Sequence, residues 1–251
     1  MNWKYYVGQY LPNTLTLVNL FCGCLAIVCI LWNFYEIAFI FISLSAIADY
    51  LDGLAARMLN SFSPIGKDLD SLADVVSFGV VPGAIFFKLL LESFDISMVH
   101  FNLDVFRAVP GFLISAFAGL RLAKFNNDPR QMNGFLGLPV PAQTLYVMGL
   151  QIFILYNGFG LGEYFSNPYF LYANILILSY LMNCELPLIS LKFDKFTFAS
   201  NRYRYVFLLI CGILFIALGR FSLSPIILFY IGFSIVLKYY YDRKEKYQLE
   251  D

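Results

Sequence analysis

Apolar residues along this chain occur in runs that are long enough to cross a lipid bilayer. A membrane-spanning helix needs roughly 17–25 predominantly apolar residues. Eight runs of this kind occur, at about 15–33, 35–59, 71–91, 106–125, 141–160, 168–187, 205–220 and 223–241. The last two are short and are separated only by the residues GRFS. The pattern predicts an all-α integral membrane protein that crosses the bilayer many times.

The composition supports this class and excludes a soluble globular domain. The 251 residues are 60% hydrophobic, 19% aromatic and only 14% charged, whereas a soluble domain carries roughly 25% charged residues. The formal net charge is zero, so nothing in the total indicates a nucleic-acid partner. The five cysteines lie in apolar runs without a CxxC pair or a nearby histidine, which is typical of buried apolar side chains.

The distribution of basic residues predicts how the chain is oriented. Cytoplasmic segments of membrane proteins carry an excess of Lys and Arg. If both termini are cytoplasmic, only Lys88, Arg107 and Arg220 of the 17 Lys and Arg residues fall on the outer side. We therefore expect an even number of spans with both termini in the cytoplasm. The N-terminal residues MNWKYYVGQYLPN, rich in Trp and Tyr, predict a short interfacial helix before the first span.

Five aspartates interrupt the apolar pattern in DYLDGLAARMLNSFSPIGKDLDSLAD, at 49–74. Asp49 and Asp52 are three residues apart at the inner end of the second span, and Asp70 and Asp74 are four apart at the start of the third. Residues at these spacings share one face of a helix. The intervening NSFSPIG contains Pro64 and Gly66, which permit a sharp reversal. Two antiparallel helices would thus bring two pairs of carboxylates face to face on the cytoplasmic side.

Four carboxylates at close range need compensating cations, because like charges disfavour one another's ionisation. Oxygen ligands favour hard divalent ions, often with substrate phosphates completing the shell, and the absence of nearby His and Cys argues against zinc. Gly53 and Ala56 leave room for a ligand, and Arg57 suits bidentate binding of phosphate. These features predict a metal-dependent diphosphate site. The alternative is that the acids sit at helix ends, paired with Arg57 and Lys67.

The spacing Asp49-x₂-Asp52-Gly53-x₂-Ala56-Arg57-x₈-Gly66-x₃-Asp70-x₃-Asp74 resembles the complete signature of the CDP-alcohol phosphotransferases. The resemblance implies a catalytic core of six membrane helices over 1–193, followed by a C-terminal transmembrane pair and charged cytoplasmic tail over 194–251. It implies two divalent metal ions, Mg²⁺ or Mn²⁺, with Ca²⁺ a substitute in crystals. Enzymes of this family move a substituted phosphate from a CDP-linked donor to an alcohol and release CMP.

Carried over by position, the resemblance implies roles for individual residues. The metal ligands would be Asp49, Asp52, Asp70 and Asp74, and Asp74 would also be the general base. The residues expected to bind the CDP-linked donor are Asn13, Thr16, Gly53, Ala56, Arg57, Ser63 and Gly66. Asn13 or Thr14 could also cap the N-terminus of a helix, in place of nucleotide binding or together with it.

Several further segments resemble the phosphatidylserine synthase branch of the family. They are LPNTLTLVNLFCGCLAI, DSLADVVSFGVVPG, LRLAKFN, FLGLPVPA and SYLMNCELPLISLKF, spread over positions 11–193. This resemblance implies CDP-diacylglycerol and L-serine as substrates, contact with membrane lipids, and a homodimer. Arg121, Lys124 and Asn126 are the expected serine pocket, although Arg121 and Lys124 could simply be anchors that snorkel to the interface.

Two alternatives remain open at this point. The same chemistry could use another acceptor, glycerol 3-phosphate or inositol phosphate, although a phosphorylated acceptor would require more basic residues than Arg121 and Lys124. The chain could also be a cation transporter that uses intramembrane carboxylates, but that function leaves Gly53 and Arg57 unexplained.

Overall fold

The computed structural model describes residues 3–61, 63–97, 103–128, 135–189 and 201–249, which form a bundle of α-helices. The helices are α1 (Trp3–Leu31), α2 (Tyr35–Leu59), α3 (Pro64–Asp74), α4 (Val81–Ser93), α5 (Leu113–Asn127), α6 (Val140–Leu155), α7 (Gly162–Phe165), α8 (Pro168–Asn183), α9 (Arg202–Leu218) and α10 (Leu223–Leu249). Short 3₁₀ turns occur at Leu103–Arg107, Val109–Phe112, Gly158–Gly160 and Gly219–Phe221.

The eight predicted spans all coincide with helices, which confirms the all-α membrane class. Six helical stretches of the described residues are long and apolar enough to cross a bilayer: Tyr10–Leu31, Tyr35–Leu59, Pro64–Ser93, Leu103–Asn127, Arg202–Phe221 and Leu223–Tyr240. The fifth and sixth predicted spans are shorter than expected, because α6 and α8 contain 16 residues each. At 1.5 Å per residue each measures about 24 Å, somewhat less than the hydrocarbon core.

The N-terminal part of the chain differs from expectation. The predicted interfacial helix is not separate, because α1 runs without interruption from Trp3 through Pro12 into the first span. Asn13 and Thr14 therefore lie well inside a helix, and the prediction that one of them caps an N-terminus is wrong. The Thr14 hydroxyl instead donates to the Tyr10 carbonyl at 2.8 Å, one turn earlier.

The reversal between α2 and α3 lies slightly earlier than the sequence suggested. Asn60 ends α2 in the left-handed conformation, with φ of 50°. Pro64 opens α3 at its first turn, where its missing N–H is not needed, and Ser63 caps this helix by accepting a hydrogen bond from Gly66 N at 3.0 Å. Gly66 therefore belongs to the first turn of α3 rather than to the connection, and the prediction that it forms part of the turn is wrong.

A π-helical segment, Val75–Val80, joins α3 to α4, so that Pro64–Ser93 forms one long helical rod. Its defining bond runs from Val81 N to Val76 O, five residues back. The segment packs closely against α1, since a Cβ built at Gly23 would lie 2.4 Å from Ser77 Oγ. It also touches α5, where Ser115 Oγ donates to Gly79 O at 2.9 Å.

Two further features complete the fold around the core. The strands β1 (Phe135–Leu136) and β2 (Pro187–Leu188) pair antiparallel, tying the start of α6 to the end of α8. Gly137 follows β1 with φ of +78°, and a Cβ there would lie 2.5 Å from Met182 O, so both backbone and space require glycine. Beyond the bundle, α9 and α10 form a pair, and α10 continues as a helix to Leu249 through the segment expected to be a solvated tail.

Candidate active site

Three of the four signature aspartates meet where α2 and α3 pass each other. Asp49 comes from α2, and Asp70 and Asp74 come from the second half of α3. Each carboxylate offers one oxygen, and the three oxygens lie within 4.8 Å of one another. The expected convergence of acids from two antiparallel helices is therefore present, with Asp74 at the junction with the π-helical segment.

Asp52 is placed differently from the other three acids. It is only 5% exposed, and its Oδ2 accepts a hydrogen bond from Thr16 Oγ1 on α1 at 2.5 Å. It still faces the same region, since Asp52 and Asp70 line one common cavity. The structure thus groups three acids tightly and sets the fourth beside them, on the side of the predicted donor-binding residues.

Asn19 on α1 is a site residue that sequence reasoning missed. Its side chain is fully buried, and Nδ2 lies 3.5 Å from Asp74 Oδ1. The Ser45 hydroxyl donates to Asn19 Oδ1, and the Ser77 hydroxyl donates to Asn19 O at 3.1 Å. Asn19 follows Thr16 by three residues, hence on the same helix face, and this spacing in an apolar run is the signal that could have identified it.

A cavity of about 540 Å³ opens beside the acids, between the first half of α1, the end of α2 and the start of α3. All seven residues predicted to bind the CDP-linked donor line it: Asn13, Thr16, Gly53, Ala56, Arg57, Ser63 and Gly66. Asp52 and Asp70 form part of the same wall, together with Pro12, Ser61, Pro64 and Lys67. The predicted donor residues, scattered over about fifty positions of sequence, are therefore neighbours in space.

The arginine of the signature lies over its glycine. A Cβ built at Gly53 would lie 3.5 Å from Arg57 Nη1, so the absence of a side chain at Gly53 leaves space beside the guanidinium. Among the described residues, no Lys or Arg nitrogen lies within 4.0 Å of a carboxylate of the four signature aspartates. The alternative in which Arg57 and Lys67 neutralise the acids directly is therefore wrong.

The donor set fits a hard divalent ion. The three converging ligands are all carboxylate oxygens, which Mg²⁺, Mn²⁺ and Ca²⁺ prefer. Two oxygens bound to one such ion at about 2.0–2.6 Å lie at most about 4–5 Å apart, which matches the observed spacing. Three acids gathered within an apolar bundle, with no basic side chain beside them in the described part, could hold a metal ion.

The residues predicted for the serine pocket all lie on α5, but they differ in burial and in hydrogen bonding. Arg121 is buried, only 3% exposed, and its Nε has no hydrogen-bond partner among the described residues. Asn126 Nδ2 donates to Ser71 Oγ on α3 at 2.7 Å, and Lys67 Nζ donates to Asn126 O at 3.2 Å. Lys124 is exposed. Burial makes Arg121 unlike a snorkelling anchor, whereas the position of Lys124 agrees with one.

Comparison with known proteins points to the same family as the signature. The family described as CDP-alcohol phosphatidyltransferase matches residues 9–183, which include the acids, the cavity, α1 from residue 9 onward and the helices α2–α8. The helices α9 and α10 lie outside the matched region.

Several curated relatives carry the name CDP-diacylglycerol–serine O-phosphatidyltransferase. The protein of Bacillus subtilis is 33% identical over 174 residues, which cover 69% of this chain and 86% of the relative. That of Mycobacterium leprae is 32% identical, over 72% of this chain and 58% of the relative. That of Saccharomyces cerevisiae is 29% identical, over 74% of this chain and 71% of the relative.

Proposed function

Because the chain belongs to the CDP-alcohol phosphatidyltransferase family, we propose that it transfers a phosphatidyl group from CDP-diacylglycerol to the hydroxyl of L-serine, releasing CMP. The observation that carries this proposal is the single cavity that brings the seven donor residues of the signature beside Asp52 and Asp70. L-serine is proposed as the acceptor because the names of the relatives include it. The reaction belongs to phospholipid biosynthesis.

The donor would lie in this cavity with its diphosphate toward the acids. Arg57 is the charged donor best suited to two phosphate oxygens, because its planar guanidinium offers parallel N–H groups. Gly53 keeps the space beside that guanidinium open. The side chains of Asn13, Thr16 and Ser63 supply polar contacts for the nucleotide, and the diacylglycerol chains would extend laterally between helices into the bilayer.

Two divalent ions, Mg²⁺ or Mn²⁺, are proposed to be held by Asp49, Asp52, Asp70 and Asp74. When bound, such ions offset the negative charge that develops on the phosphoryl oxygens and on the leaving CMP. The carboxylates of Asp49, Asp70 and Asp74 come from two helices whose relative position is fixed by the short reversal at Asn60. The protein therefore presents a pre-assembled set of oxygen ligands.

Asp74 is proposed as the general base. The serine hydroxyl oxygen forms a bond to the phosphorus that carries diacylglycerol, and the bond from that phosphorus to the oxygen of the CMP phosphate breaks. The hydroxyl proton passes to the Asp74 carboxylate, and the electron pair of the broken bond leaves with CMP. Asn19 holds the orientation of Asp74 through its amide, so it is a positioning residue rather than a reacting group.

Arg121 is proposed to bind the carboxylate of serine. It is a buried guanidinium without an acid beside it among the described residues, and a buried charge of this kind requires a counter-charge from elsewhere. Lys124 and Asn126 lie nearer the end of α5 and are proposed to line the approach of serine, with Asn126 fastened to α3.

The orientation of the protein follows from the distribution of its basic residues, with the active site and both termini proposed to face the cytoplasm. The catalytic core is proposed to comprise 1–193, and the remaining residues 194–251 to add a transmembrane pair. A homodimer is expected from the resemblance. A membrane-impermeant thiol reagent should label Asp68→Cys, an exposed position on α3, in inverted vesicles and leave it unmodified in right-side-out vesicles.

The acceptor is tested by comparing labelled serine, glycerol 3-phosphate and inositol phosphate with the purified protein in vesicles containing CDP-diacylglycerol and Mg²⁺ or Mn²⁺. We expect labelled lipid and an equal amount of CMP with serine, and little of either with the phosphorylated acceptors. A preference for a phosphorylated acceptor would replace serine while leaving the chemistry intact. Ion flux that does not depend on a CDP-linked lipid would instead support the transporter.

A further inference from the structure

Gln143 on α6 is the one buried side chain among the described residues for which two polar atoms lack a hydrogen-bond partner. It is 0% exposed, and neither its Oε1 nor its Nε2 has a hydrogen-bond partner in the described part of the chain. A buried amide that lacks both a donor and an acceptor partner is costly for the fold. Its position therefore indicates that a polar ligand or an ordered water pairs with it.

The contacts of α5 place Arg121 at the level of the π-helical segment. Ser115 of α5 touches Gly79, and Asn126 of α5 touches Ser71, so α5 runs antiparallel to the rod that contains α3 and α4. Arg121 lies about halfway between these two contacts. Its backbone is thus at the level of about residues 74–75, by the uniform rise of a helix.

The Arg121 side chain lies beside the Phe125 ring of the same helix. Its guanidinium carbon lies 5.1 Å from the centre of the Phe125 ring, one turn further along α5 in the direction of the Asn126 contact. On the neighbouring rod, the level of the Arg121 backbone already corresponds to that of Asp74. The guanidinium is therefore at about the height of the proposed general base.

The contacts of α6 place Gln143 at a similar level and facing the same interior. Thr144 Oγ1 donates to Phe78 O at 2.9 Å, so this part of α6 lies against the π-helical segment. Tyr146 Oη donates to Asn174 Oδ1 at 2.6 Å and thus marks the side toward α8. At 100° per residue, Gln143 lies between these two directions on the buried side, whereas Leu145, opposite, is 39% exposed.

The region that Gln143 faces is closed by α5. This helix packs against the π-helical segment through Ser115 and against α8, where Asn183 Nδ2 donates to Phe117 O at 3.0 Å. Two buried polar groups, the Arg121 guanidinium and the Gln143 amide, therefore face one interior within about one helical turn of each other in height.

From this convergence, and resting on the proposed function, we propose that Gln143 recognises the ammonium group of the acceptor amino acid while Arg121 binds its carboxylate. Gln143 Oε1 accepts no hydrogen bond from the residues that the structure describes, so it can accept one from an N–H of the ammonium group. Arg121 has only donors to offer, so it cannot make that contact. The pair would distinguish an amino acid from a hydroxy acid or an amino alcohol, each of which lacks one of the two charged groups.

The test compares L-serine with 3-hydroxypropanoate, which is serine without its amino group, as acceptors in the vesicle assay. Gln143→Met keeps the approximate length of the side chain and removes the amide. We expect at least a tenfold rise in the KM for serine, an unchanged KM for CDP-diacylglycerol, and no change in kcat/KM for 3-hydroxypropanoate. The selectivity of the wild type for the amino acid should fall by the same factor.

The matched control is Gln151→Met, because Gln151 is a second buried glutamine of α6 whose Oε1 is also without a partner in the described residues. It lies two turns away from Gln143, and its replacement should leave serine selectivity unchanged. Should Gln143→Met lose its thermal transition in detergent, Gln143→Asn replaces it. That variant keeps the amide but draws it back by one methylene, and at least a threefold rise in the serine KM is expected.

The outcomes separate this inference from the function on which it rests. A wild type that uses serine, combined with Gln143 variants of unchanged selectivity or with equal losses for both acceptors, would show that only water or the fold needs the amide, and would overturn the inference alone. A wild type that does not transfer to serine would overturn both.

Discussion

The two ends of α2 carry acids in very different surroundings. At the start of the helix, Glu36 accepts a hydrogen bond from Tyr156 Oη, and nearby Glu92 accepts one from Tyr35 Oη. At the other end, Asp49 meets Asp70 and Asp74 of α3. One end therefore pairs acids with phenols, whereas the other gathers acids with each other.

Basic side chains are also distributed unequally between the two ends of α2. Lys88 Nζ lies 3.8 Å from Glu92 Oε1, and the Arg220 guanidinium lies 4.6 Å from the centre of the Tyr156 ring. The hydrogen bond to Glu36 raises the pKa of Tyr156 above its ordinary value. No comparable basic partner in the described residues approaches the signature aspartates.

The difference indicates which acids serve the fold and which serve chemistry. The acids near Tyr35 and Tyr156 find their compensation within the chain, and their network joins α2, α4 and α6. The aspartates at the other end lack such compensation and require cations from outside the chain, because like charges held close together are costly in an apolar interior. Substitutions at the two ends should therefore affect different measurements.

The largest effect is expected from Asp74→Asn. The amide has nearly the shape of the carboxylate but cannot take the serine proton, so we expect a loss of about 10³-fold in kcat or more. The measurement is CMP release in vesicles with Mn²⁺. Asp68→Asn is the control, since Asp68 belongs to the same stretch but is exposed, and should retain full activity. Near-normal turnover by Asp74→Asn would contradict its role as base.

Removal of divalent ions should come next in size. We expect chelation to lower activity by about 10²-fold or more, and added Mn²⁺ to restore it, because charge stabilisation by a metal contributes several kcal/mol to the transition state. Mn²⁺ should also raise the melting temperature of the wild type but not that of Asp49→Asn. Glu92→Gln, at the other end of the bundle, should keep the Mn²⁺ response. An unchanged melting temperature of the wild type with Mn²⁺ would count against the metal site.

Asn19→Ala should produce an intermediate effect on turnover. Loss of a partner that orients a ligand or base typically costs about 10- to 100-fold, and we expect it in kcat rather than in the KM for CDP-diacylglycerol. Asn174→Ala is the matched control, because Asn174 is also buried but bonds to Tyr146 instead of an acid. Equal kcat values for the two variants would show that Asn19 is merely structural.

The smallest effect on activity is expected from Glu92→Gln, within about twofold of the wild type. Its hydrogen bonds involve a charged group, so the free energy of unfolding should fall by about 1–3 kcal/mol. Thermal denaturation in detergent, together with kcat, provides the measurement. A large loss of activity with unchanged stability would contradict the assignment of Glu92 to the fold rather than to chemistry.

The sequence was sufficient to predict the membrane class, the eight apolar segments and the convergence of acids from two helices. These features depend on local properties, namely run length and the three- or four-residue spacing of Asp49, Asp52, Asp70 and Asp74. The expected gathering of seven scattered donor residues came from the resemblance to a family. Their roles in binding stay predictions.

Other features depend on contacts between distant parts of the chain and left little signal in the sequence. Asn19 matters because Asp74 comes from another helix, and Gln143 is notable only because its amide has no hydrogen-bond partner among the described residues. The pairing of Phe135 with Leu188 joins residues 53 positions apart. The continuity of α1 through Pro12 shows that a proline does not always end a helix.

The π-helical segment also sets the rotation of α3 about the helix axis relative to α4. Val75–Val80 contains one residue more than an α-helical segment that would rotate by the same angle. Compared with an uninterrupted α-helix, it therefore turns the residues before it by about 100° relative to the residues after it. Asp70 and Asp74 come before this segment in the sequence, and the apolar face of α4 comes after it. Regularising this segment into an α-helix with the same number of residues would keep every acid in the chain and yet swing Asp70 and Asp74 out of line with Asp49, whereas deleting one residue there would leave these aspartates in register. The site thus depends on the direction in which each helix face points, as well as on the identity of the acids.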